Sequence, residues 1–134
     1  AFGLKTMGAE VVLCAPRTLM PNNMELIGVD CTSDLEYAVK GSDVVMALRL
    51  QKERQAGGFL PSEIEYRNMF GIRPGIMKEW NPNALIMHPG PVNRNLEMDS
   101  DIVDGENSVI LDQVTNGVAA RMAVLYLLAG GGEE

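Results

Sequence analysis

A cluster of hydrogen-bond donors follows a nearly all-apolar run of the chain, Asp43–Leu48. The next six residues contain four side chains that donate hydrogen bonds: Arg49, Gln51, Lys52 and Arg54. A guanidinium group can bind a carboxylate or a phosphate through two parallel hydrogen bonds, and a glutamine side chain both donates and accepts. The pattern therefore indicates a site for a small dianion that also carries an amine, with a solvated charged loop as the alternative interpretation.

A second unusual segment, Met87-His88-Pro89-Gly90-Pro91, ends another apolar run. Two prolines around a glycine remove two amide donors and stiffen the chain, so the carbonyl groups point in fixed directions. The Gly90–Pro91 bond is a candidate for the cis isomer, because X–Pro bonds cost only about 0.5–1 kcal/mol in that form. Fixed carbonyl groups at a strand end can accept hydrogen bonds from a substrate amine. A plain turn with a structural histidine is the alternative.

Strands and helices alternate along the chain and position both segments. Strands are predicted at residues 10–15, 29–32, 43–48, 84–87 and 108–111, and helices at 34–40, 62–70, 73–79 and 113–129. Two serine–glutamate pairs are typical of capped helix starts: Ser33 with Glu36, and Ser62 with Glu65. The alternation predicts an α/β fold, a three-layer Rossmann-like domain in which helices flank a mainly parallel sheet of about five strands. Ligands of such sheets bind at the carboxyl ends of strands, where both segments fall.

Composition excludes several classes of protein. The 134 residues suit one domain, and 11 basic against 18 acidic side chains give a net charge of −7, which argues against nucleic acid as a partner. The longest apolar stretch, Met122–Ala129, is far shorter than the roughly 20 residues of a membrane-spanning helix. Cys14 and Cys31 lie in apolar strand-like runs, which favours buried free thiols and a cytoplasmic location.

Other chemical motifs are missing from the sequence. It has no Gly-x-Gly-x-x-Gly segment after a strand and no Gly-Lys-Ser/Thr phosphate loop. One histidine and two separated cysteines do not form an ordinary zinc site, and a single histidine makes a Ser-His-Asp arrangement untenable. We therefore expect no metal site.

Three segments, in the right order, resemble the second half of the aspartate carbamoyltransferases: Leu48–Arg54, Met87–Arg94, and Gln113–Gly117 with Arg121. The related enzymes that use ornithine carry a His-Cys-Leu-Pro segment where this chain has His-Pro-Gly-Pro. The resemblance covers residues 1–134 as one amino-acid-binding domain, and the departure from the ornithine pattern favours L-aspartate as the ligand.

The resemblance implies a function for each segment. Enzymes of this family make N-carbamoyl-L-aspartate and phosphate from carbamoyl phosphate and L-aspartate, in pyrimidine biosynthesis and without a cofactor. By that match, Arg49 binds a carboxylate of aspartate, Gln51 orients the substrate, and the backbone of Pro89 and Gly90 faces the amine. Further residues are expected to brace the site or its contact with another domain: Lys52, Glu53, Arg54, Pro91 and Arg94.

The resemblance also implies parts that this sequence lacks. The family's Ser-Thr-Arg-Thr-Arg phosphate loop is absent, and so is the domain that binds carbamoyl phosphate and lends residues to a neighbour within a catalytic homotrimer. We therefore expect the chain to be part of a longer protein and to be inactive alone. Two alternatives remain: a stand-alone module that binds an amino acid or a dicarboxylate, and a related transcarbamoylase that uses another amine acceptor.

Overall fold

The computed structural model of the protein describes residues 1–51 and 62–130. The strands are β1 (Val12–Cys14), β2 (Asp30–Thr32), β3 (Val44–Met46) and β4 (Leu85–Met87). The helices are α1 (Phe2–Thr6), α2 (Leu35–Val39), α3 (Glu63–Phe70), α4 (Pro74–Trp80), α5 (Ser100–Val103) and α6 (Ile110–Leu128). Two short 3-10 turns, Arg17–Leu19 and Met24–Ile27, lie between β1 and β2.

The strands pair in two parallel two-stranded sheets, β1 with β2 and β3 with β4. This confirms the α/β class with parallel pairing, but the prediction of one sheet of about five strands is wrong for the described residues. The predicted fifth strand reduces to a single bridge between Ser108 and Ile86, because α6 already begins at Ile110. Apolar residues at 109–111 are compatible with either a strand or a buried first helical turn, and here the helix forms.

Two helices begin with side-chain caps, and one of the two predicted caps is correct. The Ser62 hydroxyl accepts a hydrogen bond from the Glu65 amide at 3.0 Å, as the sequence predicts. At α2 the cap is Asp34 instead of Ser33, since the Asp34 carboxylate accepts from the Tyr37 amide at 3.1 Å. Aspartate is as good a cap as serine, so the helix starts one residue later than predicted.

The hydrophobic core lies around the β3–β4 sheet. Its buried members are Val39, Ile72, Met77, Ala84, Ile86, Met98 and Ile110. The Asn81 side chain, at the end of α4, donates hydrogen bonds to the carbonyl oxygens of Val39 (2.8 Å) and Ser42 (2.7 Å). These bonds give partners to backbone carbonyl groups at and just after the end of α2. Cys14 is half-buried, whereas Cys31 is exposed on β2 and the expectation of a buried thiol is wrong there.

Helix α6 packs on the fold only through its first turns. Ile110 is buried beside the β3–β4 sheet, but the apolar side chains further along are exposed, including Met122 at 65% and Leu125 at 68%. Among the residues that the structure describes, no helix combines the length and the hydropathy that crossing a bilayer requires. Its second half leaves an apolar surface without cover from the rest of residues 1–51 and 62–130.

Candidate functional site

The two chemistry-bearing segments leave the same edge of the β3–β4 sheet. The strands are parallel, with Met46 opposite Met87 at their last residues, and the Ala47 amide continues the ladder by donating to the Met87 carbonyl at 3.1 Å. Residues 47–51 and 88–91 therefore emerge side by side at the carboxyl end of the sheet. This is the edge where parallel α/β sheets bind ligands.

Arg49 and Gln51 line a cavity of about 490 Å³ that opens beside β3. Apolar side chains of β1, α2 and β3 form much of its wall, and Tyr66 and Glu97 add polar groups. Among the described lining residues, Arg49 is the one basic side chain and Glu97 the one acidic side chain. Pro89 and Gly90 are not among them, so the structure brings Arg49 and Gln51 into one wall and leaves the bend just outside it.

Two further ionisable groups of the cavity are neutral at pH 7. Burial raises the pKa of the Tyr66 phenol to about 12, and the charge of Glu97 acts in the same direction. Burial raises the pKa of the Cys14 thiol to about 11, with a smaller contribution from Asp34. The guanidinium of Arg49 and the amide of Gln51 are therefore the groups best suited to bind an anion here.

The bend at residues 88–91 has the geometry predicted for it. The Gly90–Pro91 peptide is cis, and Gly90 has φ = 71°, a left-handed conformation that favours glycine. The Gly90 amide donates to His88 Nδ1 at 2.9 Å, and the His88 amide donates to Gln113 Oε1 at 2.8 Å. The imidazole ring and the first turn of α6 thus hold the backbone of the bend from two sides.

Asn93 connects the bend to the cavity wall. Its side-chain amide donates to the Leu50 carbonyl at 3.1 Å, between Arg49 and Gln51, and its backbone amide donates to Glu97 Oε1 at 2.6 Å. Leu50 itself is buried. These contacts fix the backbone on which Arg49 and Gln51 are carried relative to the chain that follows the bend.

The supporting residues have mixed outcomes. Lys52, Glu53 and Arg54 lie outside the described residues, and their roles stay predictions. Arg94 forms two hydrogen bonds with the Asp104 carboxylate, at 2.6 and 2.8 Å, which raises the pKa of the arginine and lowers that of the aspartic acid. This exposed pair holds the segment after the bend against the end of α5. Pro91 is exposed.

Within the part of the chain that is described, no three metal-ligating side chains converge.

The sequence alone did not single out Glu97 or Tyr66. Glu97 is only 1% exposed, yet it lies in a stretch of mixed polar residues, 93–107, that reads as a surface connection. Its burial accompanies a short parallel bridge between Ile72 and Met98, which pairs this segment with the chain that follows α3. The sequence signals Gln113 only through a resembling motif, and its hydrogen bond with the His88 amide shows why an amide side chain is useful there.

Comparison with known proteins identifies the domain. Residues 1–128 match the family model described as "Aspartate/ornithine carbamoyltransferase, Asp/Orn binding domain". The chain is 52% identical to the aspartate carbamoyltransferase catalytic subunit of Gemmatimonas aurantiaca over 99% of its length, and 53% identical to that of Desulfitobacterium hafniense over 98%. It covers 42% of each of these relatives.

A solved structure supports the same fold. The ornithine carbamoyltransferase from Pyrococcus furiosus superimposes with a TM-score of 0.72 and 28% sequence identity, over 93% of this chain and 43% of the other. The chain thus spans less than half the length of the relatives that it matches.

Proposed function

The chain belongs to the aspartate/ornithine carbamoyltransferase family as its Asp/Orn-binding domain, and from that premise we propose that it binds the L-aspartate of an aspartate carbamoyltransferase. The supporting observation is that Arg49 and Gln51 line one cavity at the carboxyl edge of the sheet, joined through Asn93 to the rigid bend. The names of the relatives at about 50% identity favour aspartate over ornithine.

The proposed binding mode divides the substrate between the two segments. Arg49 binds a carboxylate through its guanidinium fork, and Gln51 holds the substrate beside it. The carbonyl groups of Pro89 and Gly90 accept hydrogen bonds from the amine, and this orients the nitrogen lone pair away from the bend. Among the supporting residues, Lys52, Glu53 and Arg54 brace the loop, and Pro91 and Arg94 fix the chain after the bend.

The proposed reaction needs a second domain, which lies outside these 134 residues. The amine nitrogen of aspartate forms a bond to the carbonyl carbon of carbamoyl phosphate. The bond from that carbon to the phosphate oxygen breaks, phosphate leaves with the electron pair, and the proton that the amine loses passes to the leaving phosphate. Positioning and charge stabilisation supply most of the rate, so the absence of the carbamoyl-phosphate wall abolishes turnover. We place this reaction in cytoplasmic pyrimidine synthesis, in a homotrimeric catalytic unit.

The test compares the chain alone with a completed enzyme. The completed enzyme joins this chain to the remaining part of the Gemmatimonas aurantiaca relative. We expect it to form carbamoylaspartate from L-aspartate, and to use L-ornithine at a rate lower by about two orders of magnitude or more, since a site built for one set of polar groups rejects the other. The chain alone is expected to bind L-aspartate without forming product.

Other outcomes would support the alternatives. Preference for ornithine or another amine would assign the chain to a different acceptor within the family, for which the Pyrococcus furiosus structure is the precedent. Product formation by the chain alone would contradict the proposal that the reaction requires two domains. Aspartate binding in both proteins with no product from either would favour the stand-alone binding module.

A further inference from the structure

The single histidine of the chain is fully buried, and each of its ring nitrogens faces a different group. His88 is 0% exposed, and its Nδ1 accepts the Gly90 amide proton at 2.9 Å. A nitrogen that accepts a hydrogen bond carries no proton, so the proton of the neutral ring is on Nε2. Nε2 lies 3.4 Å from Glu97 Oε1. His88 therefore stands between a buried carboxyl group and the backbone of the bend.

Glu97 is held as firmly as His88. Its side chain is 1% exposed, its Oε1 accepts the Asn93 amide, and its own carbonyl accepts the Ile72 amide at 2.9 Å. Within residues 1–51 and 62–130, Glu97 Oε2 and His88 Nε2 complete no hydrogen bond in this structure. Glu97 also lines the cavity of Arg49, so it links the two halves of the proposed site, as Asn93 does.

Stability gives little reason to bury this pair. Removing a carboxyl group and an imidazole from water costs more than an apolar pair of the same size, and incomplete hydrogen bonding adds to that cost. Burial lowers the pKa of His88 below its usual value, although Glu97 acts in the opposite direction, so the ring is neutral at pH 7. A neutral ring in one tautomer is what the contact with the Gly90 amide requires.

We propose that Glu97 and His88 are positioning residues for the transfer reaction: Glu97 orients the imidazole, and the imidazole fixes the Gly90 amide so that the carbonyl groups of Pro89 and Gly90 face the substrate amine. This proposal rests on the function proposed above. The role proposed for each side chain is exerted through the backbone of the bend. Their effect is therefore on the orientation of the attacking nitrogen, whereas Arg49 and Gln51 provide the affinity for the carboxylate.

Two replacements of His88 separate this role from simple packing. Asparagine places a hydrogen-bond acceptor near the position of Nδ1, whereas glutamine reaches the position of Nε2 and leaves the Gly90 amide without an acceptor. In the completed enzyme we expect His88→Gln to lower kcat by about 10- to 100-fold with little change in the KM for aspartate. His88→Asn is expected to restore most of that loss. Equal losses in both variants, or a loss confined to KM, would overturn the proposal.

A carboxylate control and a measurement on the unsubstituted chain complete the test. Glu97→Gln is expected to lower kcat, and Glu106→Gln, which changes an exposed carboxylate, is expected to leave it unchanged.

Because His88 is the only histidine, its ring gives one pair of ¹⁵N resonances. At pH 7 these should show a bare Nδ1 and a protonated Nε2. Protonation of Nδ1 would overturn the proposal even if no variant folds.

Failure of this proposal is distinguishable from failure of the proposed function. Arg49→Ala in the completed enzyme tests the function, because it should raise the KM for aspartate. If that KM rises while His88→Gln and His88→Asn behave alike, aspartate binding stands and the positioning role is wrong. If Arg49→Ala leaves the KM unchanged, the proposed binding mode itself is wrong.

Discussion

Replacing Arg49 by alanine is expected to weaken L-aspartate binding to the chain by about 10- to 100-fold, because hydrogen bonds to a charged partner contribute roughly 1.5–3 kcal/mol. Arg49 is the one basic side chain among the described residues that line the cavity, so no described neighbour there replaces its charge. Arg49→Lys should recover only part of the affinity, since an ammonium group lacks the planar fork that matches a carboxylate. Isothermal titration calorimetry with L-aspartate measures both effects.

The matched control for this prediction is Arg17→Ala. Arg17 is an exposed arginine in a 3-10 turn and is not among the residues that line the cavity, and its removal changes the net charge by the same amount. Equal weakening in the two variants would mean that overall charge, and not the Arg49 site, attracts aspartate. Unchanged affinity in Arg49→Ala would contradict the assigned binding mode.

Gly71→Ala is expected to destabilise the fold by about 3 kcal/mol, near the upper end of what an overpacked core position costs. A Cβ atom at this position would lie 2.5 Å from the Arg67 carbonyl oxygen and 2.9 Å from the Leu96 carbonyl oxygen. Both atoms belong to the backbone, so neither can move away cheaply. Urea denaturation followed by circular dichroism measures the free energy of unfolding.

Gly75→Ala provides the control, because a Cβ atom there meets no heavy atom within 4 Å and the residue lies inside α4. Alanine is the better helix former by about 0.5–1 kcal/mol, so this variant should be as stable as the parent or slightly more stable. A mild effect at Gly71 comparable to that at Gly75 would show that α3 and the segment before Glu97 do not approach as closely as described.

Local sequence chemistry predicted the parts of the site that depend on few residues. The apolar runs predicted the strands β3 and β4, which pair in the structure, and the Gly90–Pro91 bond, a candidate for the cis isomer by its sequence, is cis. Placing Arg49 and the bend at one edge then required only the rule for parallel sheets. Each of these inferences uses backbone geometry that a short segment determines largely by itself.

Features that depend on tertiary packing were missed. The predicted fifth strand does not form, because residues 109–111 suit the start of a helix as well as a strand. The position of α6 decides between the two. The division into two sheets could not be predicted either, since nothing in the β1 or β3 residues determines whether these two strands pair with each other. Glu97 escaped notice because a glutamate in a polar stretch is ordinarily exposed, and its burial accompanies the Ile72–Met98 contact.

The central claim is that one ligand contacts both the wall of Arg49 and Gln51 and the bend at Gly90. A two-dimensional ¹⁵N–¹H NMR titration of the chain with L-aspartate tests it directly. The amide signals of Arg49, Gln51 and Gly90 should shift together along one binding curve, while that of Asn83, at the opposite edge of the β3–β4 sheet, should stay in place. Shifts confined to Arg49 and Gln51, with Gly90 unmoved at saturation, would contradict the claim.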